Sequence, residues 1–337
     1  MNIDAQPIVL TLTTPFRISR NVQHTSANVI VRVNHAGYTG YGEASPYEYY
    51  GESPETVLDC IALFADNLAD DPFLLEDITE KMDKIIQLNP SAKAAVEMAL
   101  YDLIGKMLNV PLYKLLGLNP AHATHTSFTL GIDTPVNMAK KALVARDYPI
   151  LKVKLGTRHD LDIIKAIRDV TPAVIRVDAN NAWTPKEAIR NFQAMAPYNI
   201  EFVEQPIAAH DYDGLRLIRE HVPLPIMADE SCVTVDDIPR LVGCVDGIVI
   251  KLMKCGGIRH ALKMIHVARA HNLQIMLGCM IESSVAITAA AHLTPLVDYA
   301  DLDGNLLVSD DPYVGVTVDK GKLVLPEGPG LGVNPRT

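Results

Sequence analysis

Two lysines one residue apart interrupt an apolar segment, "LKVKLG", at residues 151–156. Alternate side chains of a β-strand point to opposite faces, so Lys152 and Lys154 share one face and their ammonium groups meet there. Two buried like charges are costly unless anions lie close or one lysine gives up its proton. Because an exposed edge strand would also explain an isolated lysine pair, the residues that follow decide between the interpretations.

Charged residues follow the next four apolar segments directly. Asp178 ends "VIRVD", Glu204 ends "EFVE", Asp229 follows "PIMA" and Lys251 follows "GIVI". A single acidic residue after a strand is equally compatible with a helix N-cap. Carboxylates at three consecutive strand ends, with lysines on the strands to either side, are much harder to explain as caps.

Three carboxylates without histidine or cysteine partners form a ligand set for a hard cation. Mg²⁺ fits best, because it prefers oxygen ligands and keeps coordination positions for water and substrate oxygens. A lysine that acts as a base at neutral pH needs a pKa of roughly 7 to 8, which burial, a second lysine and a divalent ion together favour. The sequence therefore predicts one Mg²⁺ per subunit beside basic lysines.

The pattern of the chain places these residues at the mouth of a barrel. After about residue 124, short apolar segments typical of strands alternate with amphipathic segments typical of helices. The strand segments are "SFTLGI", "ILKVKL", "VIRVDA", "EFVEQP", "PIMADE", "GIVIKL", "QIMLG" and "LVDYADLD". Eight of them favour a parallel βα barrel, although the pattern alone leaves an open doubly wound sheet possible. In a barrel the carboxyl ends of the strands converge on one mouth.

The residues on either side of the barrel follow other patterns. Residues 7–43 indicate antiparallel strands, and residues 53–116 have helical periodicity that opens on a serine N-cap. We therefore expect an α+β unit before the barrel. The tail after Asp311 returns to a hairpin pattern and is expected to pack back on that unit.

Composition and charge narrow the class of protein. The 337 residues are 48% hydrophobic and 21% charged, as in an ordinary globular enzyme. A net charge of -10 argues against a nucleic-acid partner. The sequence has no apolar stretch long enough to span a bilayer and no secretory leader pattern, and its five scattered cysteines lack metal-ligand spacing. We expect a cytoplasmic protein with reduced thiols and no membrane or nucleic-acid partner.

The motifs "KVK", "VDANNAW", "EFVEQP", "IMADES" and "IKLMKCGGI" together resemble the enolase superfamily, specifically its muconate-lactonizing subgroup. The resemblance covers nearly the whole chain. It implies an α/β protein with a modified TIM barrel, (β/α)7β, at residues 121–311. An α+β capping domain at residues 1–120 and 312–337 would set substrate specificity. Within the subgroup, "DLD" at residues 301–303 is similar to the D-x-D pair that holds the free ammonium group in dipeptide epimerases.

The resemblance also implies a role for each strand-end residue. The Mg²⁺ ligands, which would grip the substrate carboxylate through the metal, are Asp178, Glu204 and Asp229. Lys154 and Lys251 would move protons on opposite faces of the substrate α-carbon, and Lys152 would stabilise the enediolate. This two-lysine 1,1-proton transfer would epimerise a dipeptide, of the Ala-Glu type or a related one, at its C-terminal residue.

Further positions are implied as substrate contacts: Asp301, Asp303, Arg20, Thr129, Cys279, Met280 and Ile281. A surface turn would also explain the two aspartates, and an ordinary strand residue would explain the threonine. Arg20 lies one residue before the position, here Asn21, at which Ala-Glu epimerases read the glutamate side chain. Asn180 and Glu230 adjoin ligands and are expected to hydrogen-bond them rather than bind the metal.

Other activities remain compatible with the same lysines and metal. Within the subgroup they are those of a muconate cycloisomerase, an o-succinylbenzoate synthase or an N-acylamino acid racemase. Asp301 and Asp303 weigh against them, because those substrates have no free ammonium group. A barrel that only binds a small molecule would explain the fold but not the full set of lysines and carboxylates. We also expect a homo-oligomer, and the sequence leaves the preferred dipeptide open.

Overall fold

The N-terminal unit is built on a three-stranded antiparallel sheet. The computed structural model describes residues 1–68 and 70–336 of the chain. The strands are β1 (Asn2–Arg17), β2 (Val22–His35) and β3 (Tyr38–Ala44). The helices that follow are α1 (Pro54–Asn67), α2 (Leu75–Ile85), α3 (Pro90–Leu108) and α4 (Leu112–Leu115). The sheet starts earlier than expected, because β1 extends back from Pro7 to Asn2 along the edge of β2.

Helix α3 lies directly on the sheet because two glycines of β3 let the backbones approach. A Cβ atom at Gly40 would overlap the carbonyl oxygen of Ala99, and one at Gly42 would overlap that of Ala95. Any side chain at these glycines would push the helix away from the sheet. The glycines therefore determine how closely helix and sheet pack.

The second unit is an eight-stranded parallel sheet whose strands neighbour one another in chain order. The strands are β4 (Phe128–Leu130), β5 (Ile150–Lys154), β6 (Val174–Asp178), β7 (Ile200–Glu204), β8 (Ile226–Ala228), β9 (Gly247–Ile250), β10 (Gln274–Gly278) and β11 (Tyr299–Asp301). The helices are α5 (Pro135–Val144), α6 (Asp160–Arg168), α7 (Pro185–Met195), α8 (Tyr212–His221), α9 (Ile238–Leu241), α10 (Leu252–Cys255), α11 (Ile258–Ala270) and α12 (Ser284–Ala291).

Sequential strand order excludes the doubly wound alternative, in which the order reverses in the middle of the sheet. An isolated parallel bridge between Thr126 and Ala300 joins the segments that carry β4 and β11, so the barrel is nearly closed. Seven of these strands lie within predicted segments, and β7 begins one residue before its segment, so the prediction of a barrel with an α+β cap is confirmed. Within the described ranges, no helix has both the length and the apolar character needed to cross a membrane.

The C-terminal tail contacts both units. Its strands are β12 (Tyr313–Val314), β13 (Thr317–Asp319), β14 (Lys322–Val324) and β15 (Asn334–Pro335). The pairing of β13 with β14 is the predicted hairpin. On the N-terminal side, the N–H of Leu112 donates to the carbonyl oxygen of Gly330 at 2.7 Å. On the barrel side, the N–H of Thr126 donates to the carbonyl oxygen of Gly321 at 2.7 Å. Assignment of residues 312–337 to the capping domain therefore stays a prediction.

A buried histidine joins the tail to both units. The Nδ1 atom of His292, just after α12, accepts the N–H of Tyr113 at 3.2 Å, so Nε2–H donates to the carbonyl of Leu331 at 3.1 Å. The imidazole also stacks on the Tyr113 ring, with centroids 5.7 Å apart. This arrangement requires a neutral imidazole, and burial lowers the pKa of His292 to about 4.

We predict that His292 makes the stability of the fold depend on pH between about 6.5 and about 4. In this window the unfolded chain binds a proton at His292 and the folded chain does not, so acid favours unfolding. The contribution is complete above pH 6.5 and is lost as the pH falls to about 4. Its size should be roughly 3 kcal/mol.

Urea unfolding of wild type and His292→Gln at several pH values would measure this contribution. The variant should be less stable at pH 7 but lose less of its free energy of unfolding on acidification. His122→Gln, at an exposed position, should retain the wild-type slope. Parallel slopes for wild type and His292→Gln would contradict the assignment.

Candidate active site

The ends of β5, β6 and β7 lie side by side at the barrel mouth. Lys154 pairs in register with Asp178, and Asp178 pairs with Glu204. Asp229 follows β8 at the same edge, because parallel strands bring their carboxyl ends together. All four side chains are buried. The fold therefore brings the predicted carboxylates and a lysine into one cluster.

Lys152 and Lys154 point into the barrel from the same face of β5, as the alternation predicts. Their ammonium groups meet at one oxygen, since Asp178 Oδ2 lies 3.2 Å from Lys152 Nζ and 2.6 Å from Lys154 Nζ. Lys152 Nζ also lies 2.9 Å from Glu204 Oε2 and 2.6 Å from Asp301 Oδ2. Burial opposes the charge of Lys152, but these three carboxylates raise its pKa well above the usual value.

Asp229 binds two other lysines across the mouth. Its Oδ2 atom lies 2.8 Å from Lys251 Nζ and its Oδ1 atom lies 2.6 Å from Lys254 Nζ. Although burial opposes ionisation, the two ammonium groups lower the pKa of Asp229. Burial likewise opposes the charge of Lys251, but Asp229 raises the pKa of that lysine. The expected lowering of a lysine pKa is therefore absent at Lys152 and Lys251, because each ammonium lies against carboxylate oxygens.

Lys254 is a positioning residue that the sequence analysis did not identify. Besides the Asp229 carboxylate, three carbonyl oxygens lie within hydrogen-bond distance of its Nζ, those of Asp229 at 2.5 Å, Cys232 at 2.9 Å and Val249 at 3.1 Å. Lys251 lines the cavity described below, whereas Lys254 is only 1% exposed. The spacing of three in "KLMK" was an available signal, since it places both lysines on one side of a helical turn.

Gln205 also holds Asp229 in place and was not predicted. Its Oε1 atom accepts the N–H groups of Asp229 and Ser231, each at 3.0 Å. Its Nε2 atom donates to Ser231 Oγ at 2.8 Å. Gln205 follows Glu204 in the "EQP" motif, and that position was the only signal of its role in the sequence.

The chemistry of the three strand-end carboxylates suits a hard cation. Glu204 Oε1 is buried and has no hydrogen-bond partner within residues 1–68 and 70–336, which is unusual for a carboxylate oxygen. Burial, and next the charge of Asp178, raise the pKa of Glu204 to about 8. In the described part of the chain, no three potential ligand side chains converge at metal-binding distance, since ammonium groups lie between the carboxylates. The all-oxygen donor set nevertheless fits Mg²⁺.

Glu230 connects this cluster to the capping sheet. Its Oε1 atom lies 2.9 Å from Arg20 Nη2 and 3.5 Å from Asn180 Nδ2. Asn180 in turn donates its backbone N–H to Asp178 Oδ1 at 2.9 Å. The guanidinium of Arg20 lies 4.4 Å from the centroid of the Tyr49 ring. The charge of Arg20 is therefore already paired within the protein.

Asp301 and Asp303 occupy different electrostatic environments. Asp301 binds Lys152, whose charge lowers the Asp301 pKa although burial opposes ionisation. Asp303 Oδ2 accepts the backbone N–H of Thr129 at 2.6 Å. Burial, and then the charge of Asp301, raise the pKa of Asp303 to about 7. Among the described residues no ion pair involves Asp303, so this carboxylate lacks a cation.

One cavity between the barrel mouth and the capping sheet unites these side chains. Its volume is about 780 Å³ including the solvent-filled opening. The predicted site residues on its surface are Arg20, Thr129, Lys152, Lys154, Asn180, Asp229, Glu230, Lys251, Cys279, Met280, Ile281, Asp301 and Asp303. Asp178 and Glu204 are fully buried and contact this surface through Lys152. Tyr47 and Tyr50, between β3 and α1, also line the cavity.

A capped βα barrel with carboxylates on successive strand ends and lysines on either side is the architecture of enolase-type enzymes. The chain belongs to the enolase superfamily. Residues 5–117 match the N-terminal domain of the mandelate racemase / muconate lactonizing enzyme family, and residues 136–337 match the enolase C-terminal domain-like family. The predicted family is therefore confirmed.

Similar proteins of this family are epimerases. The chain is 43% identical to the L-Ala-D/L-Glu epimerase of Bacteroides thetaiotaomicron, over 97% of this chain and 86% of that protein. It is 42% identical to a hydrophobic dipeptide epimerase of Enterococcus faecalis, over 95% of each. A crystal structure of the Enterococcus faecalis dipeptide epimerase with Mg and L-Leu-L-Tyr superposes with a TM-score of 0.94 at 39% identity, covering 98% of both chains. The predicted enzyme class, isomerase, is confirmed.

We predict that replacing Lys254 destabilises the fold more than replacing Lys251, although both bind Asp229. Lys254→Met leaves buried oxygens, one of them charged, without a donor, which should cost roughly 3 to 5 kcal/mol. Lys251→Met removes an ammonium that faces the cavity, where water can replace it. Urea unfolding of both variants without substrate would compare the two costs. Equal losses would show that burial does not distinguish the two lysines.

Proposed function

We propose that the chain is a Mg²⁺-dependent epimerase that inverts the α-carbon of the C-terminal residue of a dipeptide. The observation that carries this proposal is the position of two lysines in the barrel. Lys154 ends β5 and Lys251 follows β9, the second and sixth of eight strands in sheet order, so they lie on opposite sides of the barrel. The three strands between them carry the carboxylates. A substrate above the carboxylates would have one lysine on each side.

The carboxylates would hold the metal and the lysines would move the proton. Asp178, Glu204 and Asp229 would bind Mg²⁺, which supplies positive charge beside the substrate carboxylate when bound. Lys154 and Lys251 each contact one carboxylate, whereas Lys152 contacts three. Three carboxylates hold Lys152 as an ammonium, whereas Lys154 and Lys251 each contact only one and would be the residues that move the proton.

Proton transfer then follows from these positions. One of the two flanking lysines removes the α-proton, and Lys152 stabilises the negative charge that develops on the substrate carboxylate. The other flanking lysine returns a proton from the opposite side, which inverts the carbon. Neither step needs the substrate to turn over in the cavity.

The far side of the cavity supports a dipeptide as the substrate. Asp303 is a buried carboxylate for which we found no cation among the described residues, and a free substrate ammonium group would supply one. Residues 279–281 and Thr129 lie on the same cavity surface and would contact the substrate backbone. The names of the similar epimerases agree with this choice. An N-acylated amino acid would leave Asp303 without a cation.

If Lys154 and Lys251 act on opposite faces of the α-carbon, a variant that lacks one of them should exchange the α-proton of only one diastereomer. Lys154→Ala should abolish epimerisation yet keep deuterium exchange in D₂O for the diastereomer whose α-proton faces Lys251, and Lys251→Ala should show the opposite selectivity. Lys152→Ala should suppress exchange of both diastereomers, because charge stabilisation is needed from either side. Deuterium incorporation into each pure diastereomer, followed by NMR with Mg²⁺ present, measures these rates.

The same assay tests the metal and the two-base assignment separately. Wild-type exchange that persists in excess chelator would contradict the Mg²⁺ requirement. Near wild-type epimerisation by Lys154→Ala, or one-sided exchange by Lys152→Ala, would contradict the lysine roles.

Arg20 should contribute to side-chain selectivity, because its cation lies on the cavity surface at the capping side and, among the described residues, binds Glu230 through Nη2 alone. Arg20→Ala should lower kcat/KM for X-Glu dipeptides roughly tenfold more than for X-Ala or X-Leu dipeptides. The factor corresponds to the loss of one charge-assisted hydrogen bond. Arg17→Ala is the matched control, since Arg17 ends β1 three residues earlier and is not among the residues that line the cavity. Equal losses across the three substrates would show that Arg20 does not read the side chain.

A further inference from the structure

A buried carboxylate of the N-terminal unit lies at the start of barrel helix α12. Glu43 of β3 is 0% exposed. Its Oε1 atom accepts the N–H of Ser283 at 2.9 Å, and its Oε2 atom accepts the Ser283 hydroxyl at 2.6 Å and the N–H of Ala286 at 3.1 Å. N–H groups in the first turn of a helix have no partner within it, and an anion there stabilises the helix. One unit thus caps a helix of the other.

Asn28 extends this contact to the cavity wall. Its Nδ2 atom donates to Glu43 Oε1 at 2.8 Å and to the carbonyl oxygen of Ile281 at 2.9 Å. The hydroxyl of Ser45 donates to the same carbonyl at 3.1 Å. A carbonyl oxygen has two lone pairs, so side chains of the N-terminal unit satisfy this one completely. Ser45 and Ile281 both line the cavity.

We infer that Glu43 and Asn28 are positioning residues that hold residues 279–283 of the barrel in the place the substrate needs. This segment connects β10 to α12, and its first three residues line the cavity. Glu43 itself does not reach the cavity surface, so it acts through the segment. The catalytic part of the inference rests on the proposed epimerase function, whereas the structural part does not.

The helix should survive loss of the Glu43 charge, because a second acid also contacts its start. Asp311 Oδ2 accepts the N–H of Ser284 at 3.0 Å and its hydroxyl at 2.6 Å. The hydroxyl of Ser283 also accepts the N–H of Val285 at 3.2 Å. A substitution at Glu43 should therefore displace the segment before α12 rather than unfold the helix.

Glu43→Gln tests the inference, because it replaces a carboxylate oxygen, which accepts a hydrogen bond, with an amide nitrogen, which donates one. Loss of a hydrogen bond to a charged acceptor should raise amide hydrogen exchange in residues 279–287 about tenfold. KM for the dipeptide should rise about tenfold while kcat changes less, since the segment contacts the substrate backbone rather than the reacting carbon. Asn28→Ala should act in the same direction, and it allows the test if Glu43→Gln does not fold.

Asp102→Asn is the matched control. Asp102 is an equally buried acid of the same unit whose Oδ2 accepts the N–H of Tyr41, also on β3, at 2.8 Å. Its Oδ1 accepts the N–H of Leu331 at 2.7 Å, and Asp102 lies outside the cavity lining. Asp102→Asn should lower stability but leave exchange in residues 279–287 and KM unchanged.

The outcomes separate this inference from the proposed function. Wild-type exchange rates in residues 279–287 of Glu43→Gln, or the same increase in Asp102→Asn, would overturn it. Faster exchange with unchanged KM would overturn the catalytic part. If the wild type exchanges no α-proton of any dipeptide, the proposed function fails, and hydrogen exchange alone decides whether Glu43 holds the segment.

Discussion

Mutual neutralisation of buried acids and lysines at the barrel mouth is the interaction on which the site depends. The acids are Asp178, Glu204, Asp229 and Asp301, and the bases are Lys152, Lys154, Lys251 and Lys254. Isolated, each charge would cost several kcal/mol to bury. Because they come from successive parallel strands, the fold brings the opposite charges together. The same closeness makes the cluster responsive to any added charge, such as a cation or a substrate.

The lysines of the cluster differ in how firmly they are held, and this difference suggests a division of labour. Lys254 is surrounded by four oxygens and lies away from the cavity, so its role is structural. Lys152 contacts three carboxylates and is held as a cation. Lys154 and Lys251 contact one carboxylate each and reach the cavity. Burial and the number of acid contacts thus distinguish the structural lysine, the lysine held as a cation and the two lysines that reach the cavity.

The N-terminal unit closes the cavity and also contacts the charged cluster. Arg20 binds Glu230, the neighbour of Asp229, and Tyr50 covers the cavity from the same side. Asn28 and Glu43 bind the barrel segment before α12. The two units are therefore connected at the cavity, because the N-terminal unit both lines the cavity and binds parts of the barrel.

The sequence by itself determined the eight strand segments, the shared face of Lys152 and Lys154, and the carboxylates at consecutive strand ends. Strand periodicity and parallel topology are local or repeating properties, so they can be read along the chain. Only the tertiary structure showed that Arg20 pairs with Glu230, 210 residues away, that Lys254 is buried, and that Glu43 caps α12. Helix α12 is buried on all sides and carries no amphipathic pattern to reveal it. Sequence periodicity indicates the direction in which a side chain points. The distant group that it contacts depends on how the two units pack.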